Sequence, residues 1–395
     1  MLNIPELAGC CVSNGEQIRR VVIRVVTSLL NLIIGPAGAW AALGLEGIAG
    51  YIFVHTMTRW IVAEMASRRE STSKRGYRLS PILLLSAGMM PFYWDSWESY
   101  VIVVPLLLGS FEGAFWSAFH GIRKSTKDKG ERASVRRFQL FEVLSTIIAA
   151  LSVIALKYME VAEYGGAMGS ALALVAFLIP MNESAKNASI GLSTSDVWSE
   201  RATLGRIPTS SLGTISFLSI WSMRVISLEA GGIALLGGMV AASRVVGFTI
   251  SEINQSRQTA EDADIRNWKV GNYFALCGIL LMMASLVYSQ HTYFLLAYLL
   301  CTCGTSGLLY PLEVLKAGQL LSGDGGNIGL RERIKFAVQA KIMLLYFTSL
   351  APVILYLGEV PQLDQVLLPG IILASMCCIL NLRITEELMT TRQSA

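Results

Sequence analysis

The chain has 395 residues, 53% of them hydrophobic and only 15% charged, with a formal net charge of +4 at pH 7. That composition excludes an ordinary soluble enzyme or nucleic-acid-binding domain, since no soluble domain of useful length is left between the apolar blocks. The cysteines follow the same pattern: Cys10 and Cys11 precede the first block, the other five lie inside apolar stretches, and no spacing fits a zinc or iron–sulfur site.

The apolar residues come in blocks of about 18 to 25, the length a helix needs to cross the hydrocarbon core. They predict about twelve transmembrane helices, near 18–38, 44–65, 79–94, 98–121, 138–158, 164–181, 209–228, 231–251, 270–288, 292–316, 335–357 and 365–384. The turn between the first two is expected at Gly35-Pro36-Ala37-Gly38. The run Leu7-Ala8-Gly9-Cys10 has the form of a lipoprotein cleavage box. It lacks the basic start and apolar segment that a signal peptide needs, and is not read as one.

Charge between the spans alternates. Arg68, Arg69, Lys74, Arg75 and Arg78 follow the second span, a basic run from Arg123 to Arg137 follows the fourth, and Lys316, Arg331, Arg333 and Lys335 follow the tenth. The other connectors carry Asp95, Glu98, Glu160, Glu163, Glu229, Glu359 and Asp364. The positive-inside rule then places the basic segments and both termini in the cytoplasm of an inner or plasma membrane. Topology also accounts for the basic loops, so nucleic acid is not an expected partner. Tyr93, Trp94, Trp97 and Tyr100 cluster at the opposite surface, as an interfacial belt does.

The segment 182–208, rich in Ser, Thr and Asn, reads as a cytoplasmic linker between two six-helix bundles, 1–181 and 209–395. The halves are faintly similar. Gly113 and Trp116 match Gly307 and Tyr310, and Arg136-Arg137-Phe138 through Phe141 matches Arg331-Glu332-Arg333 through Phe336, both at an offset near half the chain.

The expected fold is therefore all-α and integral to the membrane, with two pseudo-symmetric bundles. That topology resembles the major facilitator superfamily. The resemblance covers the whole chain and is sharpest in Gly113-x-x-Trp116-x-x-x-His120 and the basic loop with Gly130 and Ser134. The chain departs from the family after the second span, where Lys74-Arg75-Gly76-Tyr77-Arg78 keeps only a basic remnant. It also departs in a fifth span without glycine or proline. The resemblance implies a secondary active transporter that moves a small solute by alternating access, driven by a proton or another ion, with spans one, four, seven and ten lining a central cavity.

Glu112, Trp116 and His120 are spaced by four and share one helix face. A charge at the depth of Glu112 costs about 2.5–3.5 kcal/mol on insertion scales and is tolerated toward a bundle interior or a watery cavity. Glu112 is either a proton- or substrate-binding group or a carboxyl that ties two helices together. His120 is an interfacial histidine or a proton relay, and Trp116 a packing residue or a wall of the substrate path. Asn31 and Arg224 are polar candidates on spans one and seven, with Arg224 able to meet an anionic group or to pair with Glu229. Tyr310 is a second wall. Glu142 and Lys341 lie at similar levels of spans five and eleven and suit an ion pair at a cytoplasmic gate, with Glu313 of span ten beside them. Arg59 and Arg244 are expected to snorkel to the surface. Gly304-Thr305-Ser306-Gly307 is either a bending point or a close-packing patch.

There is no Walker sequence, metalloprotease motif or nucleophile elbow, and no cofactor or metal is expected. The partners implied are a small-molecule substrate, a coupling proton or ion, and the lipid bilayer. Two other readings remain open: a transport-inactive scaffold or assembly protein of the same fold, and an integral-membrane lipid-modifying enzyme.

Overall fold

A computed structural model describes residues 14–66, 70–125, 131–159, 164–179, 209–257, 260–288 and 291–309, and parts of 335–348 and 371–382. Every regular element among them is helical. α1 (Asn14–Thr27) passes through a π-helical segment, Ser28–Ile34, into α2 (Gly35–Ala66). α3 (Glu70–Tyr93) follows, then a second π-helical segment, Ser99–Val103, that opens α4 (Val104–Ser125). α5 (Glu131–Tyr158) and α6 (Gly165–Leu178) complete the first half. The second half contains α7 (Thr209–Arg257), α8 (Ala260–Tyr288) and α9 (His291–Thr302), which ends in a third π-helical segment, Cys303–Leu309. Among the described residues, four stretches, Ile18–Ala66, Ser99–Trp116, Gly231–Asn254 and Arg266–Ser285, are long and apolar enough to cross a membrane. The segment 182–208 lies outside the described residues.

The stretch Ile18–Ala66 is 49 residues long, too long for one crossing, and it doubles back. The reversal is at Leu43-Gly44, with Gly44 at φ +57°, not at Gly35-Pro36-Ala37-Gly38 as expected. Only glycine adopts that conformation without strain. Gly35 stays helical at φ −59°, and its amide reaches back to the Leu30 carbonyl. The widened π turn thus absorbs Pro36, whose missing N–H would interrupt a tighter ladder. α7 is divided in the same way, by Gly232 at φ +66°.

A second correction concerns Lys74 to Arg78, expected in a connector after the second span. These residues form the first turns of α3, and Tyr77 among them is fully buried. Pro81 lies one turn further on. It cannot donate to the Tyr77 carbonyl, so that acceptor is left open inside the helix. Two side chains fill the gap: Ser80 Oγ donates to it at 3.0 Å and the Arg19 guanidinium at 3.4 Å. Arg19, only 1% exposed, also donates through Nε to Ala176 O at the end of α6 and lies 4.9 Å from the centroid of the Tyr77 ring. A cation at a helix C-terminus meets carbonyls that the helix itself cannot satisfy. Arg19 therefore ties α1, α3 and α6 at the end of the molecule that carries the basic segments.

Glycines set the closest helix contacts. Gly88 of α3 and Gly166 of α6 face each other so tightly that a Cβ on either would meet the other's carbonyl oxygen, at 2.4 and 2.6 Å. In the second half, a Cβ on Gly304 would meet Gly271 O at 2.4 Å. Gly304 thus fits the close-packing reading, although it lies in a π-helical turn. One apolar cluster runs through both halves, from Ile23, Leu84 and Phe111 to Leu236, Met343 and Ile371.

Candidate functional site

α2 and α4 cross with their backbones almost in contact. A Cβ on Gly109 would lie 2.5 Å from His55 O, and one on Gly113 would lie 2.5 Å from Arg59 O and 2.9 Å from Ala63 N. Two glycines four apart put the bare side of α4 against α2, as in other close membrane-helix pairs. Glu112 adjoins Gly113, so its carboxylate is delivered to the seam between the helices. It is 8% exposed.

Both carboxylate oxygens are engaged. Asn31 Nδ2 donates to Oε1 at 2.6 Å, from the π-helical turn of the first span. Arg59 NH1 donates to Oε2 at 2.8 Å, and His55 Nε2 is 3.5 Å from the same oxygen. Tyr51 OH in turn donates to Asn31 Oδ1 at 3.0 Å, and its ring lies parallel to the His55 imidazole with centroids 5.9 Å apart. Tyr51, His55 and Arg59 are spaced by four and form one polar face of α2. A buried carboxylate in a membrane bundle is supportable only with such partners, because desolvation of a lone charge is not repaid.

Arg59 also reaches the second half of the protein. Its NH2 donates to Gln339 Oε1, and its guanidinium lies 4.5 Å from the centroid of the Phe336 ring. Lys335 Nζ approaches the same ring at 5.9 Å. Further along the same two helices, Phe53 meets Phe347 edge-on with centroids 5.4 Å apart. The expectation that Arg59 snorkels is therefore corrected: it turns inward, where an ion pair, an amide and an aromatic face all compete for it.

α1 and α4 meet differently. Their backbones scarcely touch among the described residues, and long side chains span the space. The Arg24 guanidinium lies 4.0 Å above the Trp116 ring, and that of Arg20 lies 5.1 Å from the Phe119 ring. Trp116 and Phe119 belong to an aromatic stack with Phe115, Phe111 and Tyr77.

Of the expected site residues, the structure brings together Asn31 and Glu112, with Trp116 one turn along α4 under Arg24. His120 lies on α4, Arg224 on α7 and Glu142 on α5, with side chains outside the described set. Tyr310 and Glu313 lie outside it entirely. Lys341 is helical and exposed, while Gln339 beside it is buried and meets Arg59. The gate pair with Glu142 thus rests on a side chain outside the described set. Sequence reasoning passed over Tyr51, His55, Gln339 and the arginines of α1. The signal for the first two was there: polar residues at Tyr51, His55 and Arg59 repeat every four positions within an apolar span.

The chain shares its helical fold with solved membrane transporters, and in it α2 meets the helix that carries Phe336 and Gln339. Among solved structures, the chain is similar to a bacterial homologue of the iron transporter ferroportin in an outward-facing state, at 13% identity over 95% of this chain and 99% of that one, TM-score 0.63. It is also similar to the nucleoside transporter NupG, at 11% identity over 94% and 100% of the two chains, TM-score 0.59. The fucose:proton symporter FucP of E.coli aligns at 11% identity over 92% and 97%, TM-score 0.56. No protein-family profile matches the chain, and no curated protein does.

Proposed function

We propose that the protein is a secondary active transporter in which proton binding at Glu112 is coupled to alternating access. The single observation that carries this reading is the double commitment of Arg59: it holds the Glu112 carboxylate at 2.8 Å and, through its other terminal nitrogen, Gln339 of the opposite half. A neutral Glu112 no longer attracts the guanidinium. Arg59 then loses the anchor that aims it at Gln339 and Phe336, and the two halves lose a tie between them. Asn31 and Tyr51 extend the network toward the first span, one of the spans expected to line the central path.

With the basic segments on the cytoplasmic side, the Arg59–Gln339 tie closes the cytoplasmic half of the path, and protonation of Glu112 favours opening it. The solved structures of the same fold, one of them a proton symporter, support a transport role. The moving units in this reading are 1–181 and 209–395, with 182–208 as the linker. His120, Arg224, Tyr310 and the gate group of Glu142, Lys341 and Glu313 remain proposed members of the path.

Proteoliposomes loaded with a pH-sensitive dye and exposed to a panel of small solutes test this. Solute-dependent proton flux in the native protein, abolished by Glu112→Gln, is the expected result. Flux that survives Glu112→Gln would reduce Glu112 to a packing group.

A further inference from the structure

The Asn31 amide is engaged at both ends. Its Nδ2 donates to Glu112 Oε1 at 2.6 Å, and its Oδ1 accepts from Tyr51 OH at 3.0 Å. A carboxamide accepts at its oxygen and donates at its nitrogen. While the Tyr51 hydroxyl donates to Oδ1, Oε1 therefore faces a donor and not an acceptor. The hydroxyl is seated for that task. The Tyr51 side chain is fully buried, its ring lies parallel to that of His55, and a Cβ on Gly35 would come within 2.5 Å of the hydroxyl oxygen. Gly35, a turn signal by sequence, thus leaves the space that the hydroxyl needs beside the π-helical segment. To turn round, Asn31 would have to hand an N–H to the Tyr51 oxygen, and the buried hydroxyl proton would need another acceptor.

The other carboxylate oxygen is placed differently. Oε2 accepts from Arg59 NH1 at 2.8 Å and lies 3.5 Å from His55 Nε2, which can accept an O–H when the imidazole is neutral and carries its proton on Nδ1. We propose that Tyr51 is a positioning residue that steers the incoming proton to Oε2, the oxygen held by Arg59, by keeping Asn31 turned as a donor to Oε1. The assignment deepens the reading of Glu112 as the proton-binding group and rests on it. The proton comes from water and bonds to Oε2, the hydrogen bond from Arg59 to that oxygen breaks, and the guanidinium keeps its own protons. A proton on Oε1 would instead leave Oε2 as a carbonyl oxygen that goes on accepting from Arg59, and protonation would not reach the tie to Gln339. Among the described side chains, the titratable and charged groups facing Glu112 are Arg59 and His55 of α2. Lys335 of the second half approaches the Phe336 ring that Arg59 also meets.

The full-length protein in nanodiscs is compared with Tyr51→Phe, which keeps the ring and removes the hydroxyl. Infrared difference spectra between alkaline and acid pH give the C=O band of neutral Glu112, recognised by its absence in Glu112→Gln. Spin labels at Ile61→Cys and Leu344→Cys, with the native cysteines replaced, read the separation of α2 from the helix of Gln339. In Tyr51→Phe the C=O band is expected at lower frequency, because a carbonyl oxygen accepts a stronger hydrogen bond from a guanidinium than from an amide. The lengthening on acidification expected of the native protein is lost in this variant, although Glu112 still takes up its proton. A side chain that only packs would not separate proton uptake from opening in this way. Asn31→Leu, which removes the donor itself, is expected to give the same pattern, and it serves if Tyr51→Phe does not fold. A native band together with native lengthening, in Tyr51→Phe or in Asn31→Leu, would overturn the proposal. The expected pattern without solute-dependent proton flux would remove the transporter reading and leave this one. Flux abolished by Glu112→Gln, with Tyr51→Phe native in both readouts, would do the reverse.

Discussion

A Cβ placed on Gly113 would come within 2.5 Å of the backbone oxygen of Arg59. The glycine is what lets the two helices approach closely enough for Glu112 and Arg59 to pair at 2.8 Å. Gly113→Ala is expected to push α4 away from α2, and Gly113→Val to do so further, at a cost of about 1–3 kcal/mol for overpacking. The readout is the unfolding temperature in detergent together with proton flux. Both should fall in the order native, alanine, valine. A Gly113→Val variant with native stability and flux would show that the seam is not under this constraint.

Arg19 and Pro81 should be coupled through the Tyr77 carbonyl. Arg19→Met removes a charged donor from both Tyr77 O and Ala176 O, and hydrogen bonds to charged groups are worth about 1.5–3 kcal/mol. In a Pro81→Ala background the new amide satisfies Tyr77 O from within α3. Arg19→Met should then cost measurably less than in the native protein, although the Ala176 contact is lost in both. Equal costs in the two backgrounds would mean that Arg19 does not serve the proline gap.

The Glu112–Arg59 pair should show strong non-additivity. Breaking one side of a buried pair leaves an uncompensated charge and costs about 3–5 kcal/mol. Arg59→Met and Glu112→Gln singly should each destabilise the protein, and the double variant should cost less than their sum. The remaining partners of Glu112, Asn31 and His55, limit the recovery to a part of it. Additive losses in denaturant unfolding would place the two residues outside a common network.

Much of this arrangement could be read before any coordinates, and the rest shows why sequence reading stops where it does. Apolar block length and the alternation of basic and acidic connectors suffice for helices of membrane length, because both follow from transfer energies that act residue by residue. Glu112 and Asn31 stand out for the same reason, as polar groups placed where they are expensive. What a single chain does not show is direction. Arg59 has a long side chain near a span end, which suits snorkelling as well as an inward turn, and only Gly109, Gly113 and Gln339 in three dimensions decide for the inward one. The first turn was misplaced because Gly35-Pro36 looks like a breaker, whereas the π-helical register absorbs it and Gly44 does the reversing. Lys74 to Arg78 were read as a loop on charge alone, yet charged residues continue a helix readily once it leaves the hydrocarbon.

The most direct test follows the Arg59 tie itself. Spin labels are introduced at the exposed positions Ile61→Cys on α2 and Leu344→Cys on the helix bearing Gln339, in a background without native cysteines, and their separation is measured by pulsed dipolar spectroscopy across a pH series. The account predicts a short distance at high pH that lengthens on acidification, and a distance in Glu112→Gln that is long at every pH, because the amide stands in for the protonated acid. A native distance that does not respond to pH, or a Glu112→Gln variant as closed as the native protein at high pH, would contradict it.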